Sequence, residues 1–162
     1  MTDYRTWGDK LGENLFRWAA SVAERRGAEI RFQRLREVEA LGGMVPVMNL
    51  IVVNFGEQMA DEGQGFHDEF GAEAGADPAL SEWMVAVCIL LHELGHWELH
   101  RGLNCRLYQA DPAYNAAIEA EAGNFSARFL NALVARGMAM TEDEGAALSE
   151  QIRDEILAKR AI

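Results

Sequence analysis

Apolar positions recur in helical steps over most of this chain. From Thr6 to about Arg26, Leu11, Leu15, Trp18, Ala19 and Val22 fall three and four apart, the spacing of a helix with one apolar face. Arg25-Arg26-Gly27 closes it with late positive charge and a glycine. At this spacing Trp7, Phe16 and Trp18 read as core rather than as a binding surface. Residues 28–33 alternate instead, Ile30 and Phe32 against Glu29 and Arg31, and predict a short strand. Gly42-Gly43 and Pro46 interrupt the pattern. The run from Met48 to Asn54, rich in β-branched residues and bracketed by turn formers, is the strongest strand. Residues 56–76 are polar and contain glycines, as in a connection or lid, and His67 within them reads as solvated.

Asp77-Pro78 supplies a cap acceptor and a proline for the first turn of a central helix reaching about Arg101. Its first half, Trp83 to Leu91, is apolar all round, as in a helix buried at the centre of a domain. Trp83, Val87, Leu90, Leu94 and Trp97 form one stripe, and Ile89, His92 and His96 the neighbouring one. Asp111-Pro112 starts another helix, closed after Arg136 by Gly137. Thr141 and Glu144 have capping-box spacing and open a last helix to about Lys159. The expectation is an α+β fold: one mostly helical domain over residues 1–162, with a sheet of two or three strands packed on the central helix.

Composition narrows the partners. With 162 residues, 49% of them hydrophobic, the chain can bury one good core. A formal charge of −11 repels phosphate backbones, which argues against direct nucleic-acid binding. Two cysteines, Cys88 and Cys105, make no disulfide framework and read as separate thiols. Met1 to Trp7 lacks a signal-peptide apolar region, and no run approaches the ~20 residues that span a bilayer. A cytoplasmic protein without membrane partners is expected.

The candidate chemistry lies in the second half of the central helix, at His92-Glu93-Leu94-Gly95-His96. Side chains four apart on a helix stand one above the other, so His92 and His96 can grip one ion. Glu93 projects about 100° round from His92 and stands beside that ion. This is the H-E-x-x-H pattern of zinc peptidases, with two ligands and a general base. Otherwise these are ordinary histidines hydrogen-bonded at a surface.

A catalytic zinc site needs a third protein ligand. His100 lies ~12 Å along the axis from His92, too far for a straight helix to share one ion among all three. It reads as a packing residue or a support behind the ligands. The metzincin pattern needs a histidine where Gly102 stands. In the next helix, Tyr114, Ile118, Phe125 and Phe129 define an apolar stripe that includes Glu121, with Glu119 about 120° from its middle. A carboxylate on a buried stripe is costly unless paired or bound to metal. Glu121 is therefore the expected ligand, and Glu119 a solvated carboxylate.

Two stretches in this order, His92 to His100 and Glu119-Ala120-Glu121-Ala122-Gly123-Asn124-Phe125-Ser126-Ala127, resemble the motifs of the ImmA/IrrE family of metallopeptidases. A strand ending in Asn, here Asn49 to Asn54, precedes the zinc helix in that family, and the resemblance covers about residues 28–133. It implies one Zn2+ per chain on His92, His96 and Glu121, with Glu93 as catalytic base. It also implies a cytoplasmic gluzincin-type peptidase of bacteria, phages or mobile elements that cleaves or inactivates a DNA-binding repressor. The family's Leu-Met-Pro is replaced by Asn131-Ala132-Leu133, Ser126 stands for a common Ala, and no helix-turn-helix is fused.

As an endopeptidase, the chain is expected to bind extended substrate along a sheet edge formed by Met48 to Asn54. Tyr108, Tyr114, His67 and His100 are unranked candidates for stabilising the oxyanion. Two rivals remain: a zinc-containing binding protein that sequesters a regulator without cutting it, and a general peptidase of short peptides.

Overall fold

The computed structural model of the chain describes residues 9–34, 42–55 and 82–160. Trp7, His67, the 56–76 connection and the Asp77-Pro78 helix start lie outside the described residues, as does the side chain of Trp83.

The first helix, α1 (Asp9–Arg25), buries Leu15, Phe16, Ala19, Val22 and Ala23. Trp18 is half-buried against Phe129, their rings 6.0 Å apart. Gly27 ends the helix in the left-handed region, at φ 103°, where the Ala28 N–H donates to Ala23 O at 3.1 Å. Three strands follow, β1 (Glu29–Arg34), β2 (Gly42–Val45) and β3 (Leu50–Phe55). Their order is β1-β3-β2, with β1 parallel and β2 antiparallel to β3.

Two expectations about the sheet are corrected here. Gly42-Gly43 does not interrupt the chain but opens β2, because the strand passes directly against the central helix. A Cβ at Gly42 would lie 2.6 Å from Ile89 Cγ2 and 3.0 Å from Val52 O, so only glycine fits. Nor is the Met48–Asn54 stretch an edge: β3 is the middle strand, hydrogen-bonded on both sides. Pro46–Met48 forms a single 3-10 turn, and Asn49 takes a left-handed φ of 50° before the strand begins.

The central helix α2 (Glu82–Leu99) packs against α1, β2, β3 and the two long helices that end the described chain. Every residue from Val85 to Leu91 is buried, as its unbroken apolar sequence predicts. A short helix, α3 (Cys105–Ala110), is absent from the sequence reading. Asn104 caps it by accepting from the Leu107 N–H at 3.0 Å. None of its residues is buried, so it lacks the apolar periodicity that reveals a helix.

Asp111 then caps α4 (Pro112–Ala135), accepting from the N–H groups of Ala113 and Tyr114, with Pro112 in the first turn. The last helix, α5 (Glu142–Ala158), begins with the full capping box: Thr141 Oγ1 accepts from the Glu144 N–H, and Glu144 accepts from the Thr141 N–H. The result is the α+β architecture expected, with α2 at its centre and one continuous core drawing on all helices but α3. Among the described residues no helix is long and apolar enough to cross a membrane.

Candidate metal centre

The close approach of α2 to α4 builds the site. A Cβ on Gly95 would lie 3.0 Å from Phe125 Cβ and 3.1 Å from Ala122 O, so the bare glycine lets the two helices meet. The neighbouring turns, carrying His92 and His96 on one helix and Glu119 on the other, are thereby brought face to face. His92 Nε2 lies 2.9 Å from Glu119 Oε2, and His96 Nε2 lies 3.4 Å from Glu119 Oε1. The two imidazoles stand at 80°, with centroids 4.8 Å apart.

One ligand atom from each of His92, His96 and Glu119 lies within 4.8 Å of the others. Tetrahedral zinc with bonds of about 2.0–2.1 Å separates neighbouring ligand atoms by roughly 3.4 Å. The nitrogen–oxygen separations, 2.9 Å to Glu119 Oε2 and 3.4 Å to its Oε1, are near that scale, while spacings within the set extend to as much as 4.8 Å. Two nitrogens and a carboxylate oxygen are also a donor set that zinc accepts. The Glu119 side chain keeps 39% of its exposure, against 15% for His92 and 11% for His96. The cluster thus faces solvent on one side.

Glu121 is not at this centre, and the expectation that it completes the histidine pair is corrected. Its Oε1 meets His100 Nε2 at 2.7 Å, and its two oxygens accept from Arg160 Nε and Nη2 at 2.9 and 2.8 Å. The reason lies in the width of the buried face. Besides Ile118, Phe125 and Phe129 it includes Ala122, Ser126, Leu130 and Leu133, which moves its middle to about Ala122. Counting about 100° per residue, Glu119 is then about 60° from that middle and Glu121 about 100° from it on the other flank. Small and polar members of the face, Ala122 and Ser126, carried the signal.

Glu119 holds its position through three contacts. Besides the histidines, the Tyr108 hydroxyl donates to its Oε1 in a short contact. Asn115 ties α3 to α4 by donating to Tyr108 O at 3.2 Å. Hydrogen bonds from His92 and then His96 keep the Glu119 carboxyl well below the usual range, against the opposing effect of burial. It is therefore anionic and able to face a cation. Burial, reinforced by Glu119, pushes Tyr108 up to about 12, so it remains a hydroxyl donor.

Glu93 is buried beside the pair, with its Cγ 3.2 Å from where a Cβ on Gly42 would stand. Burial raises its pKa, partly offset by the nearby His96 and His92. Behind the site, His96 Nδ1 and His100 Nδ1 are 2.9 Å apart. Burial lowers the pKa of His100 although its hydrogen bond to Glu121 acts in the opposite sense. For Glu121, burial acts upward but the bonds from Arg160 and His100 prevail and lower its pKa. Cys88 and Cys105 form no disulfide.

Comparison of the chain with protein-family models, curated proteins and solved structures found no match.

Proposed function

We propose that this chain is a zinc-dependent endopeptidase that binds one zinc ion on His92, His96 and Glu119 and uses Glu93 as its catalytic base. The observation that carries the reading is the convergence of those three ligand atoms within 4.8 Å beside a buried carboxylate. The likeness of the two helical motifs to ImmA/IrrE peptidases supports it and suggests the substrate class: a regulatory protein such as a DNA-binding repressor in a bacterial, phage or mobile-element cytoplasm.

When bound, zinc polarises a peptide carbonyl and lowers the pKa of a water toward ~7. Glu93 takes the proton of the attacking water and delivers it to the departing amine. A base whose pKa is raised by burial suits both halves of that transfer. Tyr108 holds Glu119 against the histidines. Extended substrate is received on β2 rather than β3. Among the described residues β2 pairs with β3 alone, and its Gly42 runs against Glu93, so a strand added there passes the base.

The test is to incubate zinc-loaded protein with a bacterial lysate and identify new peptide termini by mass spectrometry, with Glu93→Gln as the control. Termini that appear with the native chain and vanish with Glu93→Gln support the proposal. Stoichiometric zinc without new termini would turn the reading to a zinc-containing module that captures a regulator uncut.

A further inference from the structure

We propose that His100, Glu121 and Arg160 are positioning residues that hold His96 in the tautomer a metal ligand needs. The inference rests on the metal reading above and concerns side chains that touch neither the ligand cluster's open face nor a substrate. Its basis is a continuous chain of four groups from three parts of the sequence. His96 Nδ1 meets His100 Nδ1 at 2.9 Å, His100 Nε2 meets Glu121 Oε1 at 2.7 Å, and Arg160 grips both Glu121 oxygens at 2.8 and 2.9 Å.

The protons can be assigned by elimination. Arg160 is always charged and only donates, so Glu121 facing it is a carboxylate and only accepts. His100 Nε2 must therefore carry the hydrogen in its bond to Glu121. The His100 side chain is 1% exposed, and Glu121 already faces the Arg160 charge, so burial leaves no counter-charge for a second ring hydrogen; its Nδ1 is bare and can only accept. The hydrogen between the two imidazoles then belongs to His96 Nδ1. That leaves the lone pair of His96 on Nε2, the nitrogen turned toward Glu119 and the metal cluster. With no chain behind it, His96 would exchange between two tautomers, one with a hydrogen where the metal must bind.

Arg160 is itself anchored. Its Nη2 also donates to Leu99 O at 3.2 Å, a carbonyl at the end of α2 that has no helical successor. Arg160, two residues past the last helix, thus fixes both the end of the ligand helix and the carboxylate that orients His100. Nothing in the H-E-x-x-H pattern requires this contact, which joins His96 to a residue beyond α5.

Zinc affinity, measured by competition with a chelating dye, and imidazole nitrogen spectra of the isotope-labelled zinc-free protein test the inference. The spectra should show His96 as the Nδ1–H tautomer and His100 as the Nε2–H tautomer. His100→Leu and Glu121→Gln should each weaken zinc binding by about 10–100-fold. His100→Gln, which keeps an acceptor and a donor, should lose less than His100→Leu. Arg160→Gln should mix the His96 tautomers. If the native chain binds one zinc and Glu119→Gln abolishes it, while Glu121→Gln and Arg160→Gln bind within twofold of native, the relay is wrong and the metal reading stands. If the native chain binds no zinc, both fall. Should His100→Leu not fold, the tautomers of the unsubstituted protein decide alone, and His96 with its hydrogen on Nε2 would overturn the proposal.

Discussion

Gly95 lies against Phe125 where α2 crosses α4, with no room for a side chain: an added Cβ would stand 3.0 Å from Phe125 Cβ and 3.1 Å from the Ala122 carbonyl. These are backbone and near-backbone atoms that cannot swing aside, so Gly95→Ala must part the helices. The expected cost is about 1–3 kcal/mol of stability, read from urea unfolding. Zinc affinity should fall as well, because the same separation draws Glu119 away from His92 and His96. A variant of native stability and native affinity would show that the helices meet elsewhere.

The two glutamates of α4 should separate cleanly. Glu119→Gln is expected to reduce zinc from one equivalent to a small fraction, since it removes the anionic ligand oxygen. Glu121→Gln should still take up one equivalent when zinc is in excess. Elemental analysis after extensive dialysis against zinc-containing buffer distinguishes them, and the reverse pattern would return Glu121 to the metal.

Tyr108 should titrate late. In the folded chain its pKa is about 12, raised by burial and by Glu119, whereas an unfolded tyrosine ionises near 10. The fold therefore holds this proton more tightly than the unfolded chain does. The contribution of Tyr108 is complete below pH 10 and is lost as pH rises toward 12. A difference ultraviolet titration of native protein against Tyr108→Phe should place the missing phenolate step near 12, and a step near 10 would refute the contact with Glu119.

Glu98 faces the opposite demand, a charge with no exposed side-chain surface. It accepts from Arg26 Nε and Nη2 at 2.9 and 3.2 Å and from Ser149 Oγ at 2.5 Å. Arg26→Met leaves that carboxylate buried without its main partner and should cost about 3–5 kcal/mol. The double variant Arg26→Met/Glu98→Leu should recover much of the loss, because the buried carboxylate is gone while Arg153, 3.8 Å from it in the native chain, keeps Glu150 and Asp154 as partners. Chemical denaturation of the four members of the cycle measures this, and purely additive losses would show that the pair is uncoupled.

The cap of α5 predicts an acid-side effect. Glu144 accepts from the Thr141 backbone and lies beside Arg136, and its pKa is lowered in the fold, chiefly by Thr141. Its contribution is present above the unfolded carboxylate value and fades as pH falls through the lower folded one. Thr141→Ala should cost about 1 kcal/mol at neutral pH. Glu144→Gln should flatten the decline in melting temperature at low pH, and an unchanged decline would count against the box as its source.

Much of this was legible in the residues. The Asp111-Pro112 start, the Thr141 to Glu144 box and the all-apolar run before His92 each declared themselves, because caps and burial act on a few neighbouring residues. Glu119 did not, since choosing between it and Glu121 depends on where a helix face is centred, and Ala122 and Ser126 look neutral in a hydrophobicity count. Arg160 was silent for another reason: its partners Glu121 and Leu99 are 39 and 61 positions away, and no local pattern reports a contact over that span. The place of β3 in the sheet was hidden likewise, because a glycine pair that signals a turn in isolation opens a strand once a helix lies against Gly42.

That contact also decides what a strand added beside Glu93 would meet. Gly42 stands against Glu93, so at that point the strand beside the buried carboxylate presents main chain and no side chain. Under the proposed function, a guest polypeptide laid there would be gripped by its amide spacing whatever its residues are at that point, and discrimination between guests would fall to positions farther along the strand and to which proteins can surrender an extended segment at all.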